Sequence, residues 1–260
     1  MTDQSSLPLV HEELDGPVAI LSLGAMPAHP LSLAMIRALQ ASLDRCADNP
    51  DIRVVVLHGP GHIFCAGHDL KEIARHRSEP DHGLAYLRTL FEECGRMMQS
   101  IVELPKPAIA MVEGIATAGG LQMMASCDVT FATPQATFSL PGVQNGGFCT
   151  TPSVAVGRVI GRNALMEMAL SGEVFDADWA QMNGLINRIV PAEDVRDVTL
   201  AFAHKVASGN PNALATGKRA FYSQMEQPLA QAYETATEVM IDHFMDPARI
   251  AIEQATWARK

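Results

Sequence analysis

Apolar positions along this chain recur at two spacings, and the change from one to the other marks the elements. Residues 9–14 and 18–23, separated by Asp15-Gly16, predict an opening hairpin. A proline-bearing turn follows at 26–30. From Ser32, Met35, Ile36, Leu39 and Leu43 keep a helical spacing that ends near Asn49-Pro50. Val54-Val55-Val56-Leu57 has no polar alternation, as expected of a strand covered on both faces. A loop over 62–70 then leads into a short helix through Lys71, Glu72 and Ile73. Leu84, Leu87, Phe91, Cys94, Met98 and Ile101 form one face of a long helix stopped by Pro105 and Pro107.

The apolar run 107–112 leads through Ile115-Ala116-Thr117-Ala118-Gly119-Gly120-Leu121-Gln122 into a second apolar segment ending at Asp128. This reads as strand, tight turn and helix start. Paired glycines let a ligand approach the backbone, and the first helical turn leaves N–H groups without intrahelical partners. Such donors suit an oxygen that carries or develops negative charge. Close packing of the helix on a strand would demand the same glycines, and both readings stand at this point. The segment around Ala66-Gly67-His68-Asp69 repeats the pattern, so two turns are available to aim donors at one point.

Strands are expected at 129–132 and 136–138, and a glycine-rich loop at 142–152. Helical spacing resumes near Val154 and over 163–170. Asp176 is a good N-cap for a helix through Trp179 that Asn183-Gly184 ends, and a strand over 186–190 closes at Pro191. Helices fill 195–207, 211–225, 229–245 and 247–257, two of them opened by the pairs Asn210-Pro211 and Asp246-Pro247. The expected organisation is one α/β domain, with a core over 1–192 and a helical C-terminal subregion over 193–260.

Composition narrows the function. With 260 residues, 48% hydrophobic and 18% charged, the chain can bury a full core. A net charge of −10 leaves no broad cationic surface for nucleic acid. No apolar stretch reaches the length of a membrane span. The five cysteines have no regular spacing, which implies reduced thiols, and Met1-Thr2-Asp3-Gln4-Ser5-Ser6 has no signal-peptide pattern. A soluble cytoplasmic protein is expected.

In their order and spacing, several motifs resemble the enoyl-CoA hydratase/isomerase (crotonase) superfamily over nearly the whole chain. They are Phe64-Cys65-Ala66-Gly67-His68-Asp69-Leu70-Lys71-Glu72, Lys106-Pro107-Ala108-Ile109-Ala110-Met111-Val112-Glu113-Gly114, Gly119-Gly120 and Cys127-Asp128. Ser171-Gly172-Glu173 and Gly184-Leu185-Ile186-Asn187 through Val190-Pro191 complete the set. The resemblance implies a crotonase (ClpP-like) spiral of strand-strand-helix turns, with C-terminal helices that build homotrimers, often paired into hexamers. It implies an acyl-CoA thioester as ligand, with CoA as part of the substrate and no separate cofactor or metal. The thioester oxygen would lie between the backbone N–H groups of His68 and Gly119, an oxyanion hole. Ala66, His68, Asp69, Leu70, Lys71, Gly119 and Gln144 would line the substrate. Glu113 and Asp128 fall at scaffold positions.

The chain departs from the family where hydratases carry two glutamates. Those positions fall on Gln122 and Gly142. Glutamine orients water but does not take its proton at neutral pH, and glycine offers no side chain. Cys149 is the nearby alternative, as a thiolate nucleophile or base for other thioester chemistry such as hydrolysis, or as a buried helix-start residue. Pro141-Gly142-Val143 and Phe148-Cys149-Thr150-Thr151-Pro152 resemble the enoyl-CoA hydratase domain-containing branch of that family. Three readings compete on these residues: an enolate-stabilising enzyme, a thioester hydrolase and a non-catalytic acyl-CoA binder.

Overall fold

The computed structural model describes residues 8–257; the opening residues 1–6, on which the signal-peptide expectation rests, lie outside that range. The predicted hairpin forms from β1 (Val10–Asp15) and β2 (Val18–Leu23), paired antiparallel. Helix α1 (Leu33–Asp48) starts where expected, because the Ser32 hydroxyl accepts a hydrogen bond from Met35 N–H.

The chain then runs three times through one strand of a large sheet, one strand of a small sheet and a helix. The first passage is β3 (Val54–Gly59), β4 (Ile63–Cys65) and α2 (Leu70–His76), followed by the long α3 (Leu84–Glu103). The second is β5 (Ala108–Val112), β6 (Ile115–Thr117) and α4 (Gly119–Ala125). The third is β7 (Val129–Ala132) and β8 (Thr137–Ser139), then a 3-10 turn at Pro141–Asn145, α5 (Thr150–Val156) and α6 (Arg162–Ser171). After β9 (Val174–Asp176), α7 (Ala177–Met182) and β10 (Arg188–Ile189), the helices α8 (Val195–Ala207), α9 (Pro211–Gln224), α10 (Leu229–Met245) and α11 (Pro247–Trp257) complete the described chain.

The large sheet has the order β1-β2-β3-β5-β7-β10, parallel from β2 onward, and the small one the order β4-β6-β8-β9. This is the expected spiral. The unbroken apolar runs of β3 and β5 are buried on both faces. Val54, Val56, Ile109 and Met111 meet Val195, Ala203 and Ala207 of α8. Val55, Leu57 and Ala110 turn the other way, into the main core with Leu39, Met97 and Ile101. Alternate side chains of a strand point to opposite faces, so each run needs a helical layer on both sides.

One consequence positions the site. Because β4 pairs in parallel with β6, the turns that leave these two strands lie side by side.

Differences from the sequence reading fall on short elements. Three-residue β4 lies within the expected loop over 62–70, and β9 ends on the expected cap Asp176 without having been expected as a strand, since so few residues show no period. The strand expected over 186–190 is regular only at Arg188 and Ile189, with Asn187 and Val190 N–H donating to Thr130 and Ala132 C=O on either side. The expected loop at 142–152 holds the 3-10 turn and the first turn of α5. Leu84 and Phe91, expected on the core face of α3, are 60% and 40% exposed, because the buried stripe of α3 runs through Leu90, Cys94, Met97, Met98 and Ile101.

The C-terminal helices are tied back at Asp128 and at the carbonyls of Ile101 and Lys106, to which Lys218 Nζ donates at 3.1 Å. Asp128 accepts from Ala108 N–H at 2.7 Å and from Tyr222 Oη at 2.8 Å, and pairs with Lys218 at 2.8 Å. Helices α9 and α10 bury little besides Ala232 and expose Phe221, Leu229, Tyr233 and Ile241.

Candidate active site

The turn after β4 is held from one side. Ala66 N–H donates to Ala28 C=O at 3.0 Å, Leu31 N–H to Gly67 C=O at 2.8 Å, and Asp69 N–H to Leu31 C=O at 3.3 Å. In such a parallel bridge the flanking groups of residues 67 and 69 make the bonds. The N–H of His68 therefore faces away from Leu31, and among the described residues no backbone acceptor engages it. The carboxylate of Asp69 caps α2 by accepting from Lys71 and Glu72 N–H. Leu70, 67% exposed, and Lys71 lie on the surface beside it.

The turn after β6 ends in Ala118, with φ 49 and ψ −120, a sparsely populated conformation for a residue with a Cβ. It leaves Gly119 as the first residue of α4, whose N–H has no intrahelical partner. The two glycines of the pair do different work. A Cβ on Gly120 would stand 2.1 Å from Cys65 C=O, so Gly120 lets α4 pack on β4. The nearest atoms to a Cβ on Gly119 would be side-chain ones, Leu31 Cδ1 at 3.2 Å and the His68 ring at 3.4 Å. Both readings of the glycine pair hold, one for each residue.

Gly67, with φ 83, lets the two turns touch: a Cβ there would be 2.9 Å from Gly119 N. The structure thus brings His68 and Gly119 together. The His68 ring packs edge-on against Phe91 of α3, centroids 5.0 Å apart. Its Nε2 is buried without a hydrogen-bond partner, and burial lowers the ring's pKa to about 4.

Gln122, one helical turn beyond Gly119, is 5% exposed, and its Oε1 has no partner. Opposite, α5 packs on α4. A Cβ on Gly142 would lie 2.6 Å from Cys149 N and 3.0 Å from its Sγ, so Cys149 fills the space a side chain at 142 would need. The Cys149 thiol is buried at the N-cap of α5, and its pKa is raised by desolvation, offset in part by a hydrogen bond from Gly142 N–H. Gln144 is turned to another task, its Nε2 donating to Gly172 C=O at 2.8 Å.

Glu113 accepts from or pairs with His58 at 2.9 Å, and His58 meets Ser22 on the far side of its ring, so this scaffold acid is tied to the large sheet. Sequence reasoning missed the contributions of Phe91 and Leu31. Their signal, an aromatic on α3 and a leucine before the Ser32 cap, is indistinguishable from core packing. Among the described residues no cluster of three or more His, Cys, Asp or Glu is placed to hold a metal, and no helix is long and apolar enough to cross a membrane.

Two adjacent strand-turn-helix units, within a spiral of paired sheets, define a protein of the crotonase fold. The description of the enoyl-CoA hydratase/isomerase family matches residues 18–252, and the chain belongs to that family. It is 36% identical over 236 residues to human enoyl-CoA hydratase domain-containing protein 3, mitochondrial, covering 91% of this chain and 76% of that protein. An enoyl-CoA hydratase/isomerase family protein from Silicibacter pomeroyi is 53% identical, with a TM-score of 0.87 over 92% of this chain and all (100%) of the other. An enoyl-CoA hydratase from Mycobacterium smegmatis is 39% identical, with a TM-score of 0.91 over 98% of each chain. Several relatives are mitochondrial by name, so membership of the family does not imply the expected cytoplasmic location.

Proposed function

We propose that the chain is an acyl-CoA thioester enzyme of the enoyl-CoA hydratase/isomerase type that stabilises an enolate, and that it does not use the two-carboxylate route to hydration. The observation that carries this reading is the contact between the two turns, with Gly67 against Gly119 N. The thioester oxygen would accept from His68 N–H and Gly119 N–H, and negative charge that develops on it would be stabilised by two fixed donors in a dry setting. Ala66, Asp69, Leu70 and Lys71 would line the CoA, which enters as part of the substrate, with no separate cofactor in the proposed chemistry. The exposed apolar residues of α9 and α10 support self-association as a homotrimer or hexamer.

The acid/base positions distinguish this site from a hydratase. Gln122 can hold a water or the acyl group, and the space beside Gly142 belongs to Cys149. Hydrolysis through Cys149 is the weaker reading, because a thiol whose pKa is raised by burial holds its proton at neutral pH.

Crotonyl-CoA and a saturated acyl-CoA, tested with the wild type, Gly119→Pro and Cys149→Ala, separate the readings. Proline removes the Gly119 N–H and should cost about 10²–10³ in rate. No turnover of any thioester above the Gly119→Pro control would refute the enolate reading. Hydrolysis of the saturated thioester that disappears in Cys149→Ala would favour the second. Tight thioester binding without turnover would leave a non-catalytic binder.

A further inference from the structure

We propose that the imidazole of His68, in addition to its backbone N–H, is the group that carries the proton in this site. The proposal rests on the enolate reading above.

Position is the first argument. Cε1 and Nδ1 of His68 each lie 3.4 Å from where a Cβ on Gly119 would stand. The ring therefore sits beside the N–H that would receive the thioester oxygen. In a thioester the α-carbon is two bonds from that oxygen, which brings its C–H within reach of the same ring. The ring is also held in place, by Phe91 on one side and by the bridge that fixes its backbone to Leu31.

Unpaired polarity is the second argument. His68 Nε2 and Gln122 Oε1 are both buried without partners. Gln122 is 5% exposed and follows Gly119 at i+3, on the same face of α4. Buried polar atoms are nearly always bonded, and exceptions concentrate where a ligand or reacting group completes them.

Chemistry is the third. The ring meets Phe91 of α3 and stands beside Gly119 of α4, both uncharged. The adjacent Asp69 is engaged with the N–H groups of α2. Burial is the sole cause of the low ring pKa, about 4, and an ordinary glutamate titrates at about 4.3. The neutral imidazole thus has roughly the proton affinity of the carboxylate that the family places in this site.

The step balances without a co-reactant. An imidazole lone pair takes the α-proton, and the C–H electron pair passes into the enolate, whose oxygen accepts from His68 and Gly119 N–H. The imidazolium then returns the proton to the α-carbon, or to the γ-carbon of a dienolate formed from a β,γ-enoyl thioester, moving the double bond into conjugation. One base suffices for this, whereas addition of water calls on a second group.

The test is α-proton exchange of butyryl-CoA in D2O, followed by NMR and run beside isomerisation of a 3-enoyl-CoA, with the wild type, His68→Gln, His68→Asn and Gly119→Pro. The two His68 variants keep the backbone N–H. The expected result is exchange by the wild type that is half-maximal near pH 4 and flat above it. Both His68 variants should lose about 100-fold or more, with butyryl-CoA affinity changed by no more than a few fold and unchanged melting curves. Exchange kept by either folded His68 variant, while Gly119→Pro loses it, would overturn the proposal and leave the enolate reading standing. No exchange by the wild type would overturn both.

Discussion

Replacing Gln122 by glutamate restores, on the same helical turn, a group that can take a proton, and the structure sets what this costs. Gln122 is 5% exposed, its Oε1 has no partner, and no cationic side chain bonds to it among the described residues. Burial of this kind raises a carboxyl pKa by about 3 units, from about 4.3 to about 7.3. The folded state then binds the proton more tightly than the unfolded chain. Stability relative to wild type is therefore kept below about pH 4 and lost as pH rises toward about 7.3. The loss comes to about 1 kcal/mol at pH 5 and about 4 kcal/mol at pH 8. Urea denaturation of variant and wild type at both pH values, followed by circular dichroism, measures the difference. A gap between the two proteins that does not change with pH would mean that the new carboxylate is solvated or paired. The wall beside Gly119 would then not be the dry surface on which the proposed chemistry depends.

Glutamate at position 142 is not expected to complete a hydratase, because its Cβ would stand 2.6 Å from Cys149 N. Gly142→Glu should lower the melting temperature and leave crotonyl-CoA hydration unimproved; a gain in hydration would show that the Cys149 segment yields. Gly120→Ala puts a Cβ 2.1 Å from Cys65 C=O, whereas the nearest atoms to a Cβ in Gly119→Ala are the end of Leu31 and the edge of His68 at 3.2–3.4 Å. The first should cost about 3 kcal/mol or more and the second about 1 kcal/mol, and the reverse order in a chemical denaturation series would refute the division of roles. Asp128→Ala removes the carboxylate paired with Lys218, whose side chain is 8% exposed, and leaves its ammonium only the carbonyls of Ile101 and Lys106, so it should cost about 3 kcal/mol. Limited proteolysis of that variant should cut first in the C-terminal helices, and cleavage elsewhere would count against the tether.

The legible parts of the site were those carried by local chemistry. Gly67, Gly119 and Gly120 stand out because few residues allow a turn of that shape, and Gln122 stands out against the family pattern three positions further on. Other roles were written in partners far along the chain. Tyr222 reaches Asp128 across 94 residues, and nothing local to either marks the pair. Phe91 reads as one more apolar residue on α3, and only the fold turns it onto the His68 ring.

The sequence by itself determined the order of elements, because helical and strand periods, caps and prolines act within a few residues, and it determined the family through motifs that keep their spacing. The tertiary structure alone decided which of two equivalent readings applied to each glycine. It also decided that the His68 imidazole is enclosed and that Cys149 fills the space beside Gly142. Those outcomes depend on atoms from β4, α3, α4 and α5 meeting at one place, and distance in space between such elements is not a property of any segment of the chain.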